Sequence, residues 1–258
     1  MPSPGGGTII ARIFQEGRCP VFRDRGGAGS VIAEELVKRV CGRVVVAAVP
    51  RGGVKVALPI AQRLQCPLTI VHARKLTVPR APEFAFGAID EDGHVIVDSP
   101  SAAALGIGQP EVDAAQRDVA REIGLAMARY PTPPLAAHLP DRTVILVDDG
   151  LATGLTMEAA VAYARRHGAR TVVVATPCAS ALAADRLRDR ADQLVCPIVD
   201  EDFAAVGHYY LDFSPVSDAE VVAILSNRAD MPAAAAGATG ASAEAVDDTL
   251  AGVCGGRS

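Results

Sequence analysis

The sequence contains no tryptophan, and aromatic residues make up only 4% of the chain. It also has no run of about 20 apolar residues, the length that a membrane-spanning helix needs, so we expect no membrane association. Its first residues have neither a basic nor an apolar segment, which predicts no secretory signal and a cytoplasmic location. Because 50% of the 258 residues are apolar, the chain can still fold around a sizeable core.

Two further absences narrow the class of protein. The six cysteines form no C-x-x-C pair, which favours buried free thiols over disulfides or a zinc site. The 25 basic residues are fewer than the 30 acidic ones, and the net charge is −5. This charge argues against broad contact with nucleic-acid phosphates, so we do not expect nucleic acid as a partner.

The apolar residues are arranged as short runs that alternate with helical patterns. Nearly continuous apolar runs at 43–49, 67–73, 143–147 and 171–176 are typical of strands buried on both faces, and helical periodicity follows them. The sequence therefore predicts an α/β fold with an open, mostly parallel sheet flanked by helices. A first helix is predicted over 30–40, with Ser30 as its N-cap.

Residues 76–99 interrupt this alternation. Two apolar stretches, 84–89 and 94–98, flank an Asp-Gly turn, which predicts a β-hairpin that stands off the main sheet. We expect one domain over 1–230. It is followed by a disordered tail over 231–258, where 14 of 28 residues are alanine or glycine.

The residues best suited to bind a ligand follow the strand at 143–147. Asp148 and Asp149 end this strand, and small residues lead into a helix whose first N–H groups, with the hydroxyls of Thr153 and Thr156, suit a phosphate. The two carboxylates suit a vicinal diol, or a divalent cation reached through it. A Walker A loop needs a lysine that is absent here, and no G-x-G-x-x-G run opens a helix after a strand, so both nucleotide motifs are poorly supported.

Residues 144–156, Val-Ile-Leu-Val-Asp-Asp-Gly-Leu-Ala-Thr-Gly-Leu-Thr, resemble the phosphoribosyl-diphosphate (PRPP) signature of type I phosphoribosyltransferases. Residues 49–53 resemble that family's pyrophosphate loop, and Arg74-Lys75 resembles its basic pair. By the same resemblance, 76–99 is expected to be a mobile loop. The N-terminal segment and 196–225 are expected to form a small hood.

The resemblance also implies a role for each matching residue. The ribose 5-phosphate is expected to bind Ala152, Thr153, Gly154, Leu155 and Thr156. The pyrophosphate is expected to meet Arg51, Gly52, Arg74 and Lys75. The implied catalytic residues are Asp148, Asp149, Lys75 and Glu83, with Mg²⁺ held by the two aspartates directly or through ribose hydroxyls and water. Phe203 and Tyr209 are candidates for stacking on the base, with packing under the sheet edge as an equal alternative.

The implied reaction is Mg²⁺-dependent displacement of pyrophosphate from PRPP by a nitrogenous base, or the reverse cleavage of a nucleoside 5′-monophosphate. Ala152 stands where 6-oxopurine-type members carry an acidic residue, so the loop is closer to the adenine-type pattern. The rest of the chain does not identify the base. The alternative is a non-catalytic, PRPP-sensing regulator. Homodimers are common in the family, although no residue here indicates one.

Overall fold

The computed structural model describes residues 8–13, 21–78, 81–130 and 132–229. The tail predicted over 231–258 lies outside these residues. The strands are β1 (Thr8–Ile13), β2 (Val44–Ala48), β3 (Leu68–Ile70), β4 (Ala73–Val78), β5 (Ala81–Asp90), β6 (Val95–Val97), β7 (Thr143–Val147), β8 (Thr171–Ala175), β9 (Cys178–Ser180) and β10 (Gln193–Asp200). The α-helices are α1 (Arg25–Val37), α2 (Gly52–Leu64), α3 (Ser99–Ala104), α4 (Gln109–Arg129), α5 (Leu155–Arg166), α6 (Ala181–Arg188) and α7 (Asp218–Ala229).

The main sheet has the strand order β1-β10-β8-β7-β2-β3, with β9 paired to β10, and all of these pairs are parallel. The predicted fold class, an open and mostly parallel α/β sheet, is therefore confirmed. Every residue of the central strand β7 is buried. Val144 and Leu146 pack on the face covered by α5 and α6, whereas Ile145 and Val147 pack on the face covered by α1 and α2.

The start of α1 differs from the sequence prediction. The helix begins at Arg25, and its N-cap is Asp24, whose side chain accepts a hydrogen bond from Gly27 N at 2.8 Å. Ser30, the predicted cap, lies inside the helix. Periodicity could not show the first turn, because its two glycines have no side chains to contribute to an apolar stripe.

Strands β4, β5 and β6 form a separate antiparallel sheet, so the predicted hairpin is present and has a third strand. The run predicted as one strand over 67–73 ends at Ile70, and the chain then enters β4. The β5–β6 turn packs against α5. Arg166 forms ion pairs with Asp90 and Asp92, and His167 Nε2 lies 2.8 Å from Asp92 Oδ2.

The segment around residue 22 lies against the segment around residue 210. Val21 N and Phe22 N both donate to Tyr209 O, and Leu211 N donates back to Phe22 O at 2.8 Å. The carboxyl end of β10, at Asp200, lies next to these two segments. The segments therefore cover the edge of the sheet at which its strands end. Helix α7, which the sequence did not predict, packs against the face that carries α2.

Candidate active site

Asp148 and Asp149 lie where β7 ends, directly against the N-terminus of α2. A methyl group on Gly53 would lie 2.7 Å from Val147 O, and one on Gly52 would lie 1.9 Å from Asp149 Oδ2. Only glycine at these two positions lets the helix start this close to the carboxylates. The parallel neighbours β2 and β7 therefore bring the residues after Pro50 and the two aspartates together.

The two carboxylates repel each other in a buried setting. Burial, and then the neighbouring charge of Asp149, raise the pKa of Asp148 well above its usual range, while the Lys75 ammonium partly offsets this rise. Lys75 projects from β4, which belongs to the other sheet. Strand β4 thus places a cation within electrostatic reach of the strand-end carboxylates.

Asp149 is held by residues that sequence reasoning missed. Arg25 Nε donates to Asp149 Oδ2 at 2.7 Å, and the hydroxyl of Tyr210 donates to Asp149 O at 2.6 Å. Nothing in the sequence around Arg25 marks it as functional. It precedes two glycines at a helix start, and only the fold brings it to β7.

The loop from Ala152 to Gly154 presents backbone donors at the start of α5. Within the described residues, the N–H groups of Ala152, Thr153 and Gly154 donate to no protein acceptor. Gly154 has φ of +75°, a left-handed conformation that favours glycine, and it turns the chain into the helix. A hydrogen bond from Ser180 Oγ to Ala152 O, at 2.5 Å, holds the loop in place. Free N–H groups at a helix N-terminus form a site for an anion such as phosphate.

The predicted pyrophosphate-binding residues come from two elements. Gly52 begins α2, and Arg51 precedes it with an exposed guanidinium 3.8 Å from Asp218 Oδ1. Arg74 and Lys75 are exposed on β4, and neither forms an ion pair within the described part of the chain. Thr156 lies in the first turn of α5 and is half-buried, while Leu155 is buried.

The remaining candidates are Glu83, Tyr209 and Phe203. Glu83 belongs to β5, but its side chain lies outside the described residues. Tyr209 is 2% exposed, stacks on Phe203 with ring centroids 5.2 Å apart, and donates to Asp200 Oδ2 at 2.5 Å. Phe203 is half-buried and is thus more exposed than Tyr209.

The donor set suits magnesium only together with a ligand. Among the described residues, no group of three or more His, Cys, Asp or Glu side chains could hold a metal ion. Mg²⁺ commonly binds one or two protein carboxylates and completes its shell with water and substrate oxygens. Asp148 and Asp149 fit this pattern, because a divalent cation relieves the repulsion that raises the pKa of Asp148.

An open parallel sheet with paired acidic residues at one strand end and a phosphate-type loop after them defines the class: this is the type I phosphoribosyltransferase fold. The phosphoribosyl transferase domain model matches residues 31–214, and the chain belongs to that family. It is 40% identical over 224 residues to a Mycobacterium tuberculosis protein whose name provisionally designates it a phosphoribosyl transferase, known from two strains. That match covers 87% of the chain, which spans about half the length of those relatives.

Among solved structures, the crystal structure of TT1426 from Thermus thermophilus superposes with a TM-score of 0.66 at 39% identity. The match covers 81% of this chain and 99% of that one. Across the part of the chain that the structure describes, no helix has both the length and the apolar character needed to cross a membrane.

Proposed function

We propose that this protein is an Mg²⁺-dependent phosphoribosyltransferase that displaces pyrophosphate from PRPP with a nitrogenous base, or cleaves a nucleoside 5′-monophosphate in the reverse direction. The observation that carries the proposal is the geometry at the end of β7. There the two carboxylates, the N-terminus of α2 and the free N–H groups before α5 share one edge of the sheet.

In this proposal the 5-phosphate of the sugar binds the loop at 152–156. Three N–H groups that have no acceptor among the described residues, and the positive end of the α5 dipole, favour a dianion there. The hydroxyls of Thr153 and Thr156 add two donors. The sugar is thereby held by its phosphate, with its ring towards Asp148 and Asp149.

The carboxylates then accept hydrogen bonds from the ribose hydroxyls and stabilise the positive charge that develops on the sugar as its bond to pyrophosphate breaks. Mg²⁺, when bound, neutralises charge on the departing diphosphate. Lys75, Arg74 and Arg51 supply further positive charge to the leaving group, and Gly52 lets it approach the backbone of α2. Phe203 contacts the base, with Tyr209 packed behind it. Glu83, on β5, is the candidate for handling the proton of the base.

Water must be kept from the activated sugar, because hydrolysis competes with transfer to the base. We assign this role to the segment 76–99, moving relative to the main sheet. Its β5–β6 end is tied to α5 by the ion pairs of Asp90 and Asp92 with Arg166 and His167.

The test is a screen for pyrophosphate release with PRPP, Mg²⁺ and a panel of purines, pyrimidines and other nitrogen heterocycles. A matched screen supplies nucleoside monophosphates with pyrophosphate and detects free base. Asp148→Asn should lower the signal about 10- to 1000-fold, whereas Asp189→Asn, at an exposed position that ends α6, should leave it intact. Binding of PRPP without turnover on either panel would instead support the regulator, and absence of PRPP binding would overturn the proposal.

A further inference from the structure

Arg25 lies behind the carboxylate of Asp149, and it is 8% exposed. Its Nε donates to Asp149 Oδ2 at 2.7 Å, and its Nη1 donates to Ser214 O at 2.9 Å. Its guanidinium carbon lies 3.8 Å from the centre of the Phe213 ring. A guanidinium presents its donors in one rigid plane, so these three contacts select a single orientation of the side chain.

The backbone of Asp149 is held from the same side. The hydroxyl of Tyr210 donates to Asp149 O at 2.6 Å, and the Tyr210 ring packs between Phe22 and Phe213 at centroid distances of 5.7 and 5.1 Å. Asp149 is thus gripped at its carboxylate and at its carbonyl. Both residues that make these contacts, Arg25 and Tyr210, pack against the aromatic ring of Phe213.

We propose that Arg25 is a positioning residue that orients Asp149 for the ribose hydroxyls. This inference rests on the proposed function. A carboxylate can accept about four hydrogen bonds, so the contact with Arg25 leaves capacity for a sugar diol. The guanidinium also neutralises one of two adjacent negative charges, which lowers the electrostatic cost of bringing a polyanionic sugar diphosphate to this edge. Rotational freedom of the carboxylate is removed before the ligand arrives.

The contact itself is tested by NMR of ¹⁵N-arginine-labelled protein, without any ligand. The Nε–H resonance of Arg25 should be shifted downfield and protected from exchange with water, as expected for a donor to a half-buried carboxylate. Asp149→Ala should abolish both properties. An Arg25 resonance that the Asp149 variant leaves unchanged would overturn the inference, whatever the protein's activity.

The positioning role is tested by calorimetry with PRPP and Mg²⁺ and by steady-state kinetics. Arg25→Gln should raise the Kd for PRPP about 10- to 100-fold and lower kcat, whereas KM for the base should change little. Arg25→Lys keeps the charge but cannot reach both acceptors, so it should fall between wild type and Arg25→Gln. Arg23→Gln is the matched control, because the Arg23 side chain is 89% exposed.

A purely structural role predicts a different result. Losses that merely follow the folded fraction, measured by thermal melting of each variant, would overturn the inference, as would wild-type Kd and kcat in Arg25→Gln. If Arg25→Gln fails to fold, the inference is tested by the Kd and kcat of Arg25→Lys and by the NMR experiment on the Arg25 Nε–H resonance. If the wild-type protein does not bind PRPP, the proposed function fails, and the NMR arm still reports on the contact alone.

Discussion

Arg51 Nη1 lies 3.8 Å from Asp218 Oδ1, so a residue expected to meet pyrophosphate is paired with the first residue of α7. Asp218 also accepts a hydrogen bond from the Tyr130 hydroxyl at 2.7 Å and pairs with Arg129. Together these donors hold the pKa of Asp218 below its usual range, Tyr130 having the largest effect. The start of α7 is therefore an internal competitor for the Arg51 guanidinium.

Replacing Asp218 should release Arg51 for a ligand. We expect Asp218→Asn, which keeps an acceptor for Tyr130, to tighten PRPP binding about two- to fivefold, because exposed ion pairs contribute about 0–1 kcal/mol. Calorimetry with Mg²⁺ measures the change. Glu220→Gln serves as the control, since Glu220 lies on the same helix and pairs with Lys55. Equal effects of the two substitutions would argue against competition for Arg51.

Asp148→Asn should separate activity from stability. We expect turnover to fall about 10- to 1000-fold, because the lost interaction strengthens in the transition state. The pKa of Asp148 is raised in the folded protein, so its ionisation at neutral pH opposes folding, and this cost grows as the pH rises above the unfolded-state value. The variant should therefore melt higher than wild type at pH 8, by about 2–4 °C for each kcal/mol regained. A lower melting temperature would contradict this account.

Gly52→Ala should damage the site through a single methyl group. That methyl would lie 1.9 Å from Asp149 Oδ2 and 3.0 Å from Arg25 Nε, so the carboxylate must move away from the start of α2. We expect loss of PRPP binding by tenfold or more. Gly124→Ala, inside α4 with nothing within 4 Å, should leave binding unchanged and stabilise the helix by about 0.5–1 kcal/mol. Titration of both variants with PRPP and Mg²⁺ provides the comparison.

His72 should make the protein sensitive to acid. It is 7% exposed, and burial together with the Arg74 charge lowers its pKa to about 4. Between about pH 6.5 and 4 the unfolded chain takes up a proton that the folded protein does not, so the free energy of unfolding falls as the pH falls. The full effect of His72 is at most about 3 kcal/mol.

Urea unfolding at pH 7 and at pH 5 measures this dependence. His72→Phe preserves a ring against Tyr130, which His72 stacks on at a centroid distance of 6.0 Å, and it should flatten the slope between the two pH values. His94→Gln, at an exposed position in the same region, should keep the wild-type slope. An unchanged slope in His72→Phe would show that other groups cause the acid sensitivity.

Much of the fold could be predicted from local patterns. The run 143–147 is almost entirely apolar, and all of its residues except Leu146 are β-branched; it is β7 in the structure, with every residue buried. The helical periodicity that follows this run is α5, and Gly168, just beyond the helix, has the left-handed φ of +80° that is typical of a helix C-terminus. The predicted start of α1 was wrong, because the glycines in its first turn contribute nothing to the hydrophobic periodicity.

The candidate site was predictable to the extent that it is contiguous. Asp148, Asp149 and the loop to Thr156 stand in one stretch, so their order along the chain already places them around a strand end and a helix start. Arg25, Tyr210 and Asp218 could not be found this way. Each acts through one contact with a residue far away in sequence.

The sequence by itself determined the local elements and the family, because hydrophobic periodicity and a contiguous motif are properties of neighbouring residues. The tertiary structure alone decided which charges meet: Arg25 with Asp149, Lys75 near Asp148, and Arg51 with Asp218. Electrostatic interaction depends on distance through space, and that distance is set only when the two sheets and the helices have packed.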